Sequence, residues 1–313
     1  MKREVLRKFR IVFVLLAMIF IATLLSDRFL TMQNISNIMR QISVNGILAC
    51  GMTFVMLTGG FDLSVGSTIT LTGAFALTLQ PTFGVFGAIA VAIIIGGLAG
   101  SLNGVILSKI KADSGDAFMI TLGTQLLIFG VSLLIFDARF IPGSRDEIYQ
   151  QIGTGIAFGF LPVPMLIFAV VAIISFIVLT HTNFGRKIYL TGGNYEAARL
   201  SGVRVRFCHM IVYIIVGMTA AISAVVLTSR AMGCSSDLGQ GYELDAIAAV
   251  IVGGTSPKGG EGSIWQTVIG VLIIGVLSNI LNLLGMNSLS QMIVKGLVII
   301  GAVWLDSKQT KTA

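Results

Sequence analysis

Apolar residues in this chain come in long runs, not at the three- or four-residue spacing of a surface helix. Ten segments read this way, at approximately 9–26, 41–59, 66–81, 84–107, 117–136, 161–180, 209–229, 243–255, 264–283 and 289–305. About 20 mostly apolar residues carry a helix across the hydrocarbon core of a bilayer. A helix is favoured there because it satisfies its own backbone hydrogen bonds. The third and eighth runs are short for full spans. The pattern predicts an all-α membrane protein with about ten transmembrane helices. No stretch between the runs is long enough for a soluble domain, so residues 1–313 read as a single transmembrane domain.

Composition agrees. The chain is 55% hydrophobic and 11% charged, where a soluble domain carries about 25% charged residues. So few polar residues do not cover a soluble core of this size. The 37 glycines suit close helix packing in lipid and show no collagen period. Cys50, Cys208 and Cys234 form neither a disulfide framework nor a zinc spacing and read as small packing residues.

The net charge of +7 raises nucleic acid as a partner, but the placement of the charge argues for membrane topology and no nucleic acid. With ten spans and a cytoplasmic N-terminus, both termini are cytoplasmic. Fifteen basic residues then lie inside, while Arg28, Arg40, Arg139, Arg145 and Arg230 lie outside and Lys295 falls within the last run. This is the positive-inside bias. Lys2, Arg3, Arg7, Lys8 and Arg10 precede an apolar run as in a signal peptide. That run continues to Leu25 without a small-x-small cleavage pattern, so it is expected to stay as a first span.

Enzyme chemistry has little to stand on. The chain lacks G-x-x-x-x-G-K-[S/T], and in the Gly-rich stretch Gly253 to Gly260 the lysine, Lys258, precedes the second glycine pair. It also lacks G-x-S-x-G and any His/Cys/Glu metal spacing.

The polar loop at about 181–209 is more informative. Gly192 and Gly193 break the chain there, and Asn194 is placed to cap a short helix with Glu196 in its first turn. Small Ala197 and Ala198 follow, then Arg199 and Leu200, with Gly202 a C-cap candidate. Such a helix either docks into a groove on a cytoplasmic partner or is a solvated connector.

Two Gly-rich breaks interrupt apolar runs, at Thr58 to Ser67 and at Val252 to Ser263. They share Gly-Gly, a Ser and a closing Gly-Ser, a weak sign of an internal repeat. They read as cytoplasmic turns or as linings of a polar path, and the charge distribution favours turns. Asp62 is costly at mid-membrane. It is expected to accept from amides near Ser64 and cap the next helix, with a place on a translocation path as the lesser reading. Asn45, Gln125, Asn279 and Asn282 lie in or at spans, where polar side chains join helices or line a passage for a polar solute. Glu243 and Asp245 open the eighth run on the outer face. They either cap that helix or contact an external partner.

Several longer stretches occur in a telling order. They are Gly51-Met-Thr-Phe-Val-Met-Leu-Thr-Gly-Gly-Phe-Asp-Leu-Ser-Val-Gly-Ser67, Thr121-Leu-Gly-Thr124, Gly192-Gly-Asn-Tyr-Glu-Ala-Ala-Arg-Leu-Ser-Gly202, Gly241-Tyr-Glu-Leu-Asp-Ala-Ile-Ala-Ala249, Val252-Gly-Gly-Thr-Ser256 and Ile293-Val-Lys-Gly296. With them the chain resembles, over nearly its full length, the permeases of bacterial ribose- and galactose-type ABC importers, the ribose branch in particular. The resemblance implies the ABC importer permease fold in the bacterial inner membrane. It implies three partners: a cytoplasmic ATP-binding subunit, a periplasmic sugar-binding protein and a second permease copy, identical or related. It implies that the chain is not itself an enzyme and holds no cofactor, ATP and Mg belonging to the ATPase. It also makes Gly192 to Gly202 the element that couples to that ATPase, with Glu196, Ala197 and Ala198 as its core.

The chain departs from the family at Lys111-Ala-Asp-Ser-Gly-Asp116, where an apolar, Pro-containing approach to the fifth span is usual, and at Pro257, Lys258 and Glu261. An ion-coupled secondary transporter of a small polar solute is the alternative. It calls for membrane-embedded acids, and the chain offers mainly Asp62.

Overall fold

The computed structural model describes residues 2–110 and 114–310. The departure at Lys111 to Asp113 lies outside them. The architecture is mostly helical: α1 Lys2–Leu25, α2 Met32–Leu57, α3 Val65–Thr78, α4 Gln80–Ile110, α5 Ser114–Phe136, α6 Glu147–Thr154, α7 Val163–His181, α8 Asn183–Gly193, α9 Tyr195–Leu200, α10 Val205–Ala231, α11 Tyr242–Gly253, α12 Ile264–Leu283 and α13 Ser288–Thr310. Each apolar run has its helix. Among the described residues six helices, α2, α4, α5, α7, α10 and α12, are long and apolar enough to cross a membrane.

A few residues between the helices pair as short strands. Strands β1 Ile141–Pro142, β2 Ile156–Ala157, β3 Leu161–Pro162 and β4 Gly233–Cys234 form two antiparallel ladders, β1 with β4 and β2 with β3. They occur where apolar helices have ended and the backbone needs other partners. Helix α6 was not expected either. Asp146 caps it by accepting from the Ile148 amide at 2.8 Å, and its buried Tyr149 shares a 2.7 Å hydrogen bond with Thr228 of α10.

The core lies between α2 and α10, with α4, α11 and α12 around them. Glycine explains the closest pairing. Gly96, Gly100 and Gly104 recur every four residues on α4 and so share one face. A Cβ at Gly96 would overlap the Gly217 carbonyl, one at Gly100 the Tyr213 carbonyl, and one at Gly104 would come within 2.9 Å of Met210. The two backbones touch because no side chain separates them. Polar side chains hold other helix pairs. Asn34 of α2 and Asn279 of α12 exchange amide hydrogen bonds at 3.0 and 2.8 Å, and Thr53 meets Thr267 at 2.7 Å.

Helices α3 and α11 have only 14 and 12 residues, about 21 and 18 Å at the helical rise. Gly253 at the end of α11 packs on Gln266 near the start of α12, and Ala249 packs on Gly270. Continuing that antiparallel register, α11 begins about two turns short of the far end of α12. Its N-terminus therefore lies inside the bundle. It meets the N-terminus of α3 there, for a Cβ at Gly66 would come within 2.8 Å of the Gly239 carbonyl and overlap the Glu243 carboxylate.

Candidate functional site

Two regions carry the sequence-derived candidates. The first is the polar loop. Thr182 caps α8 by accepting from the Gly185 amide, and α8 runs on to Gly193, so the glycine pair ends a helix where a plain break was expected. Asn194 caps α9 by accepting from the Ala197 amide at 3.0 Å, as its position suggested. The chain leaves α9 through Ser201 and Gly202, whose φ of +81° suits glycine, and the Val203 amide returns to the Ala198 carbonyl at 3.0 Å. Ala198 is buried beneath the turn, while Glu196, Ala197, Arg199 and Leu200 are exposed. Leu200 is 81% exposed, beside a Glu196–Arg199 ion pair at 2.8 Å. One short rigid element thus presents a leucine, an alanine and a balanced charge pair outward. That composition suits a protein groove better than lipid.

The second region is where α3 and α11 begin. Asp62 accepts from the Ser64 amide at 2.9 Å, from the Ser64 hydroxyl at 2.6 Å and from the Asn103 amide of α4 at 3.2 Å. Asn103 also donates to Ser64 Oγ at 2.8 Å. Asp62 is 1% exposed, and these donors take the place of water around its carboxylate. Tyr213 of α10 donates to the Phe61 carbonyl at 3.0 Å. Asp62 pairs with the Ser64 amide as expected, just ahead of α3, but no side chain caps that helix, whose N-cap is Ser64 itself. Asn103 was missed, though a lone asparagine within an apolar run signals a buried partner.

The structure places Glu243 and Asp245 otherwise than on an open outer face. Glu243 is 5% exposed and accepts from the Gly241 amide with both oxygens, at 3.1 and 3.2 Å. Its carboxylate is thus turned onto the start of its own helix. Asp245 accepts from Lys295 of α13 at 2.7 Å. Both sit on the first turn of α11, where negative charge is favoured.

The remaining path candidates do not form one constellation. Asn45 is buried on α2. Gln125 is half-buried on α5. Asn279 is taken up by Asn34, and Asn282 accepts from Gln291 at 2.8 Å at an exposed helix end. The last two join helices, as amides in spans commonly do.

Similarity to known proteins spans both regions without assigning a role to either. The profile of the family described as branched-chain amino acid transport system / permease component matches residues 34–303. The chain is 43% identical to the ribose import permease protein of Haemophilus influenzae over 94% of this chain and 91% of the relative. It is 40% identical to that of Bacillus subtilis over 95% and 91%, and 36% identical to the D-allose transport system permease protein of Escherichia coli K12 over 90% and 85%. No solved structure matches it significantly.

Proposed function

Because the chain belongs to the branched-chain amino acid transport system / permease component family, on its ribose-permease branch, it is the permease subunit of an ABC sugar importer in the inner membrane, and we propose that its cargo is ribose or a related monosaccharide. The observation that carries this reading is the near-full-length similarity to ribose import permeases. The chain is a translocation subunit without chemistry of its own. On this reading residues 1–313 form one domain of ten spans, counting α1, α3, α11 and α13 with the six long helices, and both termini are cytoplasmic. The charge bias across the connecting segments supports that orientation.

The partners follow from the class. A separate cytoplasmic subunit binds and hydrolyses ATP with Mg, so this chain needs no cofactor. A periplasmic protein delivers the sugar, and a second permease copy completes the passage. Residues Gly192 to Gly202 seat on the ATPase, a role supported by the exposed face of α9. Alternating access then moves the sugar past the ends of α3 and α11, where Asp62, Ser64 and Glu243 gather. Discontinuous helices that start at mid-depth recur at transporter binding sites. An ion-coupled carrier is not favoured by the similarity to ABC permeases, and Asp62, the acid it would use, is taken up by Ser64 and Asn103.

The test is uptake of radiolabelled monosaccharides into vesicles holding this chain with its ATPase and binding protein. Uptake of ribose that requires ATP is expected. Uptake driven by an ion gradient without ATP would overturn the reading.

A further inference from the structure

The polar loop is packed into the body by its first glycine. A Cβ at Gly192 would overlap the carbonyl of Leu57, the last residue of α2, and come within 2.6 Å of the Gly260 nitrogen. That Gly260 amide donates to the same Leu57 carbonyl at 2.9 Å. A Cβ at Gly259 would lie 2.8 Å from the Gly59 nitrogen and 3.0 Å from Gly192 Cα, and one at Gly260 would lie 2.8 Å from Gly193 Cα. Three segments far apart in sequence, around residues 59, 192 and 259, thus touch backbone to backbone. Tyr189 of α8 adds a strut by donating to the Gly262 carbonyl at 2.9 Å, and Ser114 of α5 donates to the Gly59 carbonyl at 2.5 Å.

Two of these segments are the leads to the half-helices. Residues 58–64 run from the joint to α3, and residues 254–263 run back from it to α11. The first turn of α3, where that lead enters, touches the far end of α11 through Gly66, Gly239 and Glu243. The loop, both leads and both half-helices therefore form a closed chain of contacts. Close-packed contacts transmit strain instead of absorbing it, and contacts between glycine backbones have no side-chain rotamer to yield.

We propose that this glycine joint transmits the displacement of α8 and α9 to α3 and α11, and that Gly192, Gly259, Gly260 and Tyr189 are positioning residues for the transport stroke. The proposal rests on the coupling role given to residues 192–202. An added methyl at Gly192 would push α8 away from Leu57 and introduce slack. Removal of the Tyr189 hydroxyl would loosen the strut without adding bulk.

The experiment reconstitutes the whole importer in vesicles and measures ribose moved per ATP hydrolysed. Gly192→Ala is expected to lower that ratio about tenfold, within the span of ordinary coupling energies, while ATP hydrolysis continues. Tyr189→Phe should lower it by a smaller factor. Gly97→Ala, where the new methyl would meet the Met218 and Ile214 side chains at 3.4 and 3.8 Å, should leave it unchanged. A wild-type ratio in Gly192→Ala, or an equal loss in Gly97→Ala, overturns the proposal. Should Gly192→Ala fail to assemble, Tyr189→Phe decides alone, and an unchanged ratio there overturns it. Absence of ATP-dependent uptake in the unaltered complex refutes the importer reading itself, and Glu196→Lys without effect refutes the coupling role. Either failure is distinct from failure of the joint.

Discussion

Lys295 of α13 donates to Asp245 of α11 at 2.7 Å, an ion pair linking the last helix to the shorter half-helix. The side chains are 21% and 17% exposed, so removing one partner strands a charge in a poorly solvated place. Breaking a fully buried pair costs about 3–5 kcal/mol. With the exposure left here, about 2 kcal/mol is expected for Asp245→Ala or Lys295→Ala. The doubly neutral D245N/K295M chain should recover most of it. Thermal melting in detergent of the four chains checks this, and a double variant no better than the singles would show that the pair is not the source.

Glu196→Lys should leave membrane insertion and melting unchanged, because its ion pair with Arg199 is more than half exposed and such pairs contribute little to stability. If residues 192–202 seat on the ATPase as proposed, stimulation by the loaded binding protein should nevertheless be lost, as the glutamate of that seat is replaced by a lysine. Unchanged transport would remove the coupling role from this residue.

Gly100→Val should strongly lower the amount of folded protein. Its side chain would run into the Tyr213 carbonyl where the α4 and α10 backbones touch, and overpacking commonly costs about 1–3 kcal/mol. Abundance and monodispersity after detergent extraction measure the effect. Normal yields would mean that α4 and α10 can separate without harm.

Asp62→Ala should cost about 2 kcal/mol, because the Ser64 amide, the Ser64 hydroxyl and Asn103 lose a shared acceptor. Asp62→Asn keeps one acceptor oxygen and should lie in between. Melting curves give the order. Equal stability in all three chains would show that these hydrogen bonds contribute nothing.

Much of the fold was legible because lipid asks so little of a sequence. Every run of apolar residues became a helix, and even the short third and eighth runs were visible as short. The loop helix α9 was legible from Asn194, since a capping amide acts within three residues. Helix α6 was not, although Asp146 and Glu147 mark its start, because one buried tyrosine among polar neighbours carries no period. Asn103 escaped notice for a related reason. Its partner Asp62 is 41 residues away, and nothing local announces a contact made only by folding. The positions of Glu243 and Asp245 relative to the outer face depended on how far α11 reaches. Length alone could not say that it begins within the bundle.

The first turns of α3 and α11 leave backbone amides pointing into the bundle, and a helix N-terminus of that kind attracts anions. Here a carboxylate of the chain already lies beside each of them, Asp62 on the Ser64 amide and Glu243 on the Gly241 amide. A sugar phosphate arriving at this depth would find no vacant pole and two carboxylates repelling it. If sugar passes here as proposed, a neutral polyol meets no such repulsion, and the two carboxylates would disfavour a phosphorylated one.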